Sequence, residues 1–229
     1  MSDTSHSAAA EHWSPLYFLS ALGAGGLAVT FFMWLMFWVP HPGQPVPVFE
    51  DIVAYLATSG PLGDAMVLTA MGGIAVFAAL HIALLVWNLR KLAAFTRSDA
   101  YRALTRSNAE SQLKGVPLTL AMAINVGFIL GLVFVPGLWG IVEYLFPAAI
   151  VAFLAVGAYA FRLLGRFLGR ILAEGGFDTH ANTSFAQLLP AFALAMVGVG
   201  LAAPAAMSTT PWIVGTSLVL STLFVTAAL

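Results

Sequence analysis

The chain alternates between six long apolar stretches and shorter polar connections. The stretches cover residues 15–39, 65–89, 116–135, 141–164, 185–207 and 212–229. Each is close to the roughly 20 residues that an α-helix needs to cross the hydrocarbon core of a bilayer. Because the runs are continuous and lack the alternation of barrel strands, they predict helices instead of a closed β-barrel. The pattern therefore predicts an all-α polytopic membrane bundle over residues 15–229, with about six transmembrane helices, preceded by a tail of residues 1–14.

The polar connections differ in charge. Segment 41–64 carries three acidic residues and no Lys or Arg, whereas segment 90–115 carries six of the nine basic residues. Three further arginines end the fourth stretch. Basic segments of membrane proteins are retained in the cytoplasm. Segment 90–115 and the arginine-bearing end of the fourth stretch therefore predict a cytoplasmic loop 90–115, a cytoplasmic amino terminus and a multi-pass protein of the bacterial inner membrane. Residues 48–58, between the first two stretches, predict a short interfacial helix.

The amino-acid composition indicates which partners the protein can bind and which kinds of chemistry it can carry out. The chain is 60% hydrophobic and 8% charged, its net charge is -1, and it has no cysteine. So apolar a chain has lipid as its natural partner, and its charge argues against nucleic acid, which needs a concentrated basic face. Disulfides, thiolate metal sites and thiol catalysis are excluded. No nucleotide-binding motif occurs, and we expect neither a cofactor nor enzymatic activity.

His81 and Glu143 lie inside apolar stretches, where burial of charge is costly. His81, in the second stretch, is either a proton or ligand site or a neutral imidazole bonded to a neighbouring carbonyl or hydroxyl. We favour the neutral imidazole, since the other histidines lie outside the stretches and a diheme site needs two that face each other. Glu143 begins the fourth stretch. It either binds a cation or relays a proton, or it stabilises a helix N-terminus through the dipole, which we favour.

Arginines recur at every fourth position near the end of the fourth stretch. Arg162, Arg166 and Arg170 therefore lie along one helix face. Arg162 and Arg166 form a positive vestibule for anions in one interpretation, and extend to lipid headgroups in the other.

Proline and polar residues concentrate in the odd-numbered stretches. A proline bends a helix and frees a carbonyl, which membranes tolerate where the backbone packs in protein or lines a watery cavity. We therefore expect the odd stretches to line a conduit and the even ones to form an apolar jacket, while most glycines serve close helix packing. The residues concerned are Pro117, Thr119, Asn125, Gln187, Pro190 and Pro204.

Three segments resemble those of a known family. SPLYFLSALGAGGLAVTFFMW, ESQLKGVPLTLAMAINVGF and NTSFAQLLPAFALAMVGVGLAA are similar to the first, third and fifth helices of the tellurite-resistance/dicarboxylate transporter family. That family includes bacterial TehA and the slow anion channels of plant guard cells. The resemblance implies pore-lining positions at Gly23, Gly26, Pro117, Leu189, Pro190 and Ala191, to which the polar pattern adds Asn125.

The resemblance also implies an architecture. The family fold is five helical hairpins around a pseudo-fivefold pore that conducts anions, and several members form trimers, so a homotrimer is implied. The present chain resembles the first six of those ten helices, and the family's gating phenylalanine falls beyond Leu229. We therefore expect a longer native protein. Among relatives the chain is most similar to the TsoY-type branch, in which selenocysteine recoding occurs.

The leading hypothesis is an anion channel or secondary transporter that moves small inorganic or organic anions across the inner membrane. One alternative is a membrane-anchor or electron-transfer subunit of a redox complex, with His81 as a cofactor ligand. Another is a non-transporting assembly or sensory membrane protein.

Overall fold

The computed structural model describes residues 13–175 and 185–229, and within these ranges it contains helices and connections but no strand. Six helices are long and apolar enough to cross a membrane, which confirms the predicted all-α polytopic bundle. They are span 1 (Phe18–Trp38), span 2 (Pro61–Phe95), span 3 (Gly115–Phe134), span 4 (Val142–Glu174), span 5 (Leu189–Met207) and span 6 (Pro211–Ala228).

Short elements connect the spans. A short helix at Phe49–Leu56 lies where one was predicted between spans 1 and 2, and a second short helix covers Asp99–Leu104. Short 3-10 segments precede spans 1, 3, 4 and 5, at Pro15–Tyr17, Asn108–Lys114, Leu138–Ile141 and Phe185–Leu188.

Span 2 is longer than the apolar stretch that predicts it. Its 35 residues extend over about 52 Å at 1.5 Å per residue, well beyond a hydrocarbon core of about 30 Å. The predicted loop 90–115 is therefore wrong at its start, since residues 90–95 continue the helix. Hydropathy limits how much of a helix lies in lipid, but good helix formers such as Arg90 and Lys91 prolong it into water.

The odd-numbered spans form a central row. Span 3 packs against span 1 on one side and span 5 on the other, span 2 packs on spans 1 and 3, span 4 on spans 3 and 5, and span 6 mainly on span 5. Span 3 is the most buried of the six. The antiparallel order places segment 96–114 and the start of spans 1, 3 and 5 at one end, here the basic end. Segment 39–60 and the start of spans 2, 4 and 6 lie at the other, the acidic end.

Glycines bring several spans into close contact, as expected for small residues in membrane helices. Gly200 of span 5 lies against the Phe153 ring of span 4, and Gly157 of span 4 lies against Phe224 of span 6. These contacts belong to the largest apolar cluster, which joins spans 3 to 6.

Two of the three prolines in the odd spans lie where a proline does not bend a helix. Pro117 and Pro190 are the third and second residues of their helices, in the first turn, where a missing N–H breaks no bond of the helix interior. Only Pro204 lies inside an odd span, and Pro147 lies inside the even span 4. The predicted kinks at Pro117 and Pro190 are therefore wrong.

Candidate functional site

An open groove of about 580 Å³ lies between the first halves of spans 1, 3 and 5, towards the basic end. Three different helices supply its walls, and every lining side chain in the described ranges is apolar. The lining residues are Leu16, Leu19, Leu22, Gly23, Leu118, Phe185, Ala186, Leu189 and Phe192.

Two of the residues predicted to line a conduit meet in this groove. Gly23 contributes from span 1 and Leu189 from span 5. Gly26 lies one turn beyond Gly23 on the same helix, and a methyl group on either glycine would meet no atom within 4 Å. The glycines therefore leave open space along one face of span 1.

The other predicted conduit residues lie near the groove or away from it. Pro117 is buried beside Leu118, and Pro190 and Ala191 are half-buried beside Leu189. Asn125 instead lines a separate cavity of about 40 Å³ between spans 3, 4 and 5. Its Nδ2 donates to Met196 Sδ at 3.7 Å, a weak contact.

Arg162 and Arg166 are exposed and lie apart from the groove. Span 4 packs through positions such as Phe153, Ala160 and Phe167, which recur every seven residues and are buried. Arg162 follows Phe153 by about two and a half turns, so it projects from the opposite side of the helix. This position suits lipid headgroups, and the vestibule at these two arginines stays a prediction.

Arg170, by contrast, is held in the structure. Its Nη2 lies 3.1 Å from Glu110 Oε2, its Nε donates to the same oxygen at 3.2 Å, and its Nη2 also donates to the Ser107 carbonyl at 2.9 Å. This joins the end of span 4 to the 3-10 turn before span 3. Lys114, at the end of that turn, is buried with its Nζ 3.8 Å from the centre of the Phe167 ring.

The same 3-10 turn also joins the starts of spans 1 and 5. Ser14 Oγ donates to Gln112 Oε1 at 3.1 Å, and Gln187 Nε2 donates to the Asn108 carbonyl at 3.3 Å. Through these two hydrogen bonds the 3-10 segment connects two walls of the groove at its basic end. Sequence reasoning used Lys114 only as a sign of topology and did not find Glu110, whose partner is 60 residues away.

His81 is fully buried between spans 1, 2 and 3. Its Nδ1 lies 2.7 Å from the Ala21 carbonyl, so the imidazole donates from Nδ1, while Nε2 has no hydrogen-bond partner among the described residues. Met122 packs close by, and a methyl group on Gly25 would lie 2.8 Å from His81 Nδ1. The contact with the Ala21 carbonyl agrees with the favoured interpretation of His81, and the dense packing leaves no space for a macrocycle beside the ring. No metal-binding group of side chains occurs in residues 13–175 and 185–229.

At the acidic end, Glu143 joins the start of span 4 to the turn between spans 5 and 6. Its Oε1 accepts from the Thr209 amide at 2.6 Å, and its Oε2 accepts from Ser208 Oγ at 2.7 Å and Thr210 Oγ1 at 3.2 Å. The carboxylate lies in the first turn of span 4 and just before span 6, so it satisfies free donors at helix starts. Glu143 therefore stabilises the start of a helix, as favoured from the sequence, and the groups that its carboxylate contacts lie in the turn between spans 5 and 6.

The fold defines a polytopic α-helical membrane protein whose odd-numbered helices are central. We found no match to this chain among family models, curated proteins or solved structures.

Proposed function

We propose that this protein moves small inorganic or organic anions across the inner membrane, as a channel or secondary transporter, along the groove between spans 1, 3 and 5. The observation that supports the proposal is the central row of odd spans with an open groove at its basic end. The three segments that resemble tellurite-resistance/dicarboxylate transporters include residues of spans 1, 3 and 5.

The orientation follows from charge. We place the basic end in the cytoplasm, where Lys and Arg are retained. Residues 90–114 then form a positive rim on the side from which anions enter, which raises their local concentration. Because the groove is apolar, tight binding is not expected along it, and weak binding permits fast exit.

The conduit needs more walls than this groove has. The groove has three helical walls and is open elsewhere, while the family's pore has five. The resemblance implies that three copies of the chain assemble.

Anion flux in proteoliposomes tests the proposal. Purified protein is reconstituted, and efflux of chloride, nitrate, sulfite and a dicarboxylate is compared with protein-free liposomes. Gly23→Phe fills the groove with an aromatic ring and should reduce flux at least about tenfold, since ring and conduit compete for one space. Gly72→Phe is the matched control, because Gly72 is also exposed in mid-helix, and a methyl group placed on it would meet no atom of a neighbouring element within 4 Å.

The outcomes separate the candidate functions. Flux equal to protein-free liposomes for all four anions would remove the transport proposal. Equal flux in Gly23→Phe and Gly72→Phe would remove the groove as its path. A Soret band in the purified protein would instead support the redox subunit, in which His81 binds a cofactor.

A further inference from the structure

The basic end contains a buried lysine that has no hydrogen-bond acceptor. Lys114 is only 1% exposed, and its Nζ makes no hydrogen bond in the part of the chain that the structure describes. A lysine ammonium has three donors, and burial without acceptors is costly. The Phe167 ring, 3.8 Å away, stabilises the cation through its face but accepts none of its donors fully.

The charges around Lys114 do not balance. Glu110 is the nearby carboxylate, but both contacts made by its Oε2 go to Arg170, at 3.1 and 3.2 Å. Lys114 follows Glu110 by four residues within a 3-10 turn. A 3-10 turn has three residues per turn, so positions four apart do not face each other as they do in an α-helix. Lys114 and Arg170 therefore have one carboxylate near them, and that carboxylate is bound to Arg170.

We propose that Lys114 and Arg170 form a binding site for a small monovalent inorganic anion, and that the Glu110 carboxylate is a tethered competitor for it. An incoming anion accepts from the free Lys114 ammonium and takes the place of Glu110 on the guanidinium of Arg170. Arg170 is the accessible side of the site, since its side chain is 18% exposed.

The site lies where an anion meets the groove. Lys114 precedes Leu118, which lines the groove, by one helical turn. The same 3-10 turn accepts a hydrogen bond from Gln187 at the start of span 5. The described lining of the groove has no side-chain cation, so an anion that reaches it must be attracted by cations outside the groove. Binding here is measurable without transport, so failure of one proposal leaves the other standing.

Thermal unfolding in chloride tests the site. Purified protein in detergent is titrated from sodium gluconate to sodium chloride at constant ionic strength, and the melting temperature is followed by circular dichroism. A ligand that binds only the folded state raises that temperature. Glu110→Gln removes the competitor, so half of the shift should occur at about tenfold lower chloride than in the wild type.

Two lysine variants decide the assignment. Lys114→Met removes the buried charge and should abolish the chloride response. Lys91→Met, which alters the only other lysine of the chain, should keep it. A chloride response equal in wild type and Lys114→Met would overturn the proposal, and so would a wild type without any response. This comparison remains decisive if Glu110→Gln does not fold.

Discussion

Asn88 is a buried amide whose replacement should loosen the basic end of the bundle. It is completely buried in span 2. Its Oδ1 accepts from Trp13 Nε1 at 3.3 Å, and its Nδ2 donates to the Tyr17 carbonyl at 3.2 Å and to the Leu84 carbonyl at 2.9 Å. Two of these three bonds hold the start of span 1 against span 2. Leucine has nearly the same shape as asparagine but can make none of them.

The magnitude follows from the groups left behind. Hydrogen bonds between membrane helices contribute about 0.6 kcal/mol each, so the loss of two removes about 1.2 kcal/mol. The Trp13 N–H then stays buried without an acceptor, which costs a further 1–3 kcal/mol or so. The apolar leucine offsets part of this. We expect Asn88→Leu to lower the free energy of unfolding by about 2 kcal/mol.

Unfolding in mixed micelles, followed by far-ultraviolet circular dichroism, measures this loss. Asn125→Leu is the matched control, because Asn125 is also an amide in a span, but within residues 13–175 and 185–229 its side chain makes only the 3.7 Å sulfur contact. Its replacement should change stability little. Trp13→Phe, alone and combined with Asn88→Leu, completes a double-mutant cycle with a coupling energy of about 1 kcal/mol.

Equal stability of the two leucine variants would refute the reasoning. It would mean that the amide of Asn88 contributes no more than that of Asn125. A coupling energy near zero in the cycle would separately show that the bond from Trp13 to Asn88 is not formed in the folded protein.

Three further predictions concern the acidic end, the helix contacts and the orientation. Glu143→Gln withdraws the negative acceptor from the turn between spans 5 and 6, so amide hydrogen exchange in that turn should accelerate; unchanged exchange would contradict the contact. Gly200→Ala forces a methyl group into an aromatic ring of span 4 and should destabilise by about 1–3 kcal/mol. Gly215→Ala, on an open surface, should be neutral or stabilising by up to about 1 kcal/mol, and equal losses would count against the packing. Single cysteines replacing Thr58 and Thr96 flank span 2; an impermeant maleimide should label Thr58→Cys in intact cells but Thr96→Cys only in inverted vesicles, and labelling from one side would refute the orientation.

Periodic and compositional signals predicted the spans well and their ends less well. The apolar stretches reveal where lipid is the solvent, because each hydrocarbon-length run is visible in the sequence. They do not reveal where a helix ends, since span 2 continues to Phe95 on charged helix formers. The predicted kinks at Pro117 and Pro190 are wrong for a related reason. Whether Pro117 or Pro190 bends a helix depends on its distance from the helix start, which hydropathy does not fix.

The polar contacts between spans were not predictable from sequence. Asn88 and Glu110 each bind groups at least 60 residues away, and a single sequence contains no signal that pairs them. His81 shows what sequence alone can supply. A lone histidine in an apolar stretch was expected to bond a neighbouring carbonyl, and it does, but the carbonyl of Ala21 emerged only from the fold.

Span 1 shows how these contacts bear on the proposed conduit. Its carbonyls at Tyr17, Phe18 and Ala21 accept side-chain hydrogen bonds from Asn88, Thr119 and His81, respectively. Those donors belong to spans 2 and 3, so the helix is fixed from two sides near its start. Its remaining face carries Gly23 and is free of such contacts. Because span 1 is positioned by its contacts with spans 2 and 3, its position does not depend on side chains that project into the groove. Glycine on the groove side keeps that space open. A groove supported in this way is preformed, so the proposed conduit does not require this helix to become ordered first.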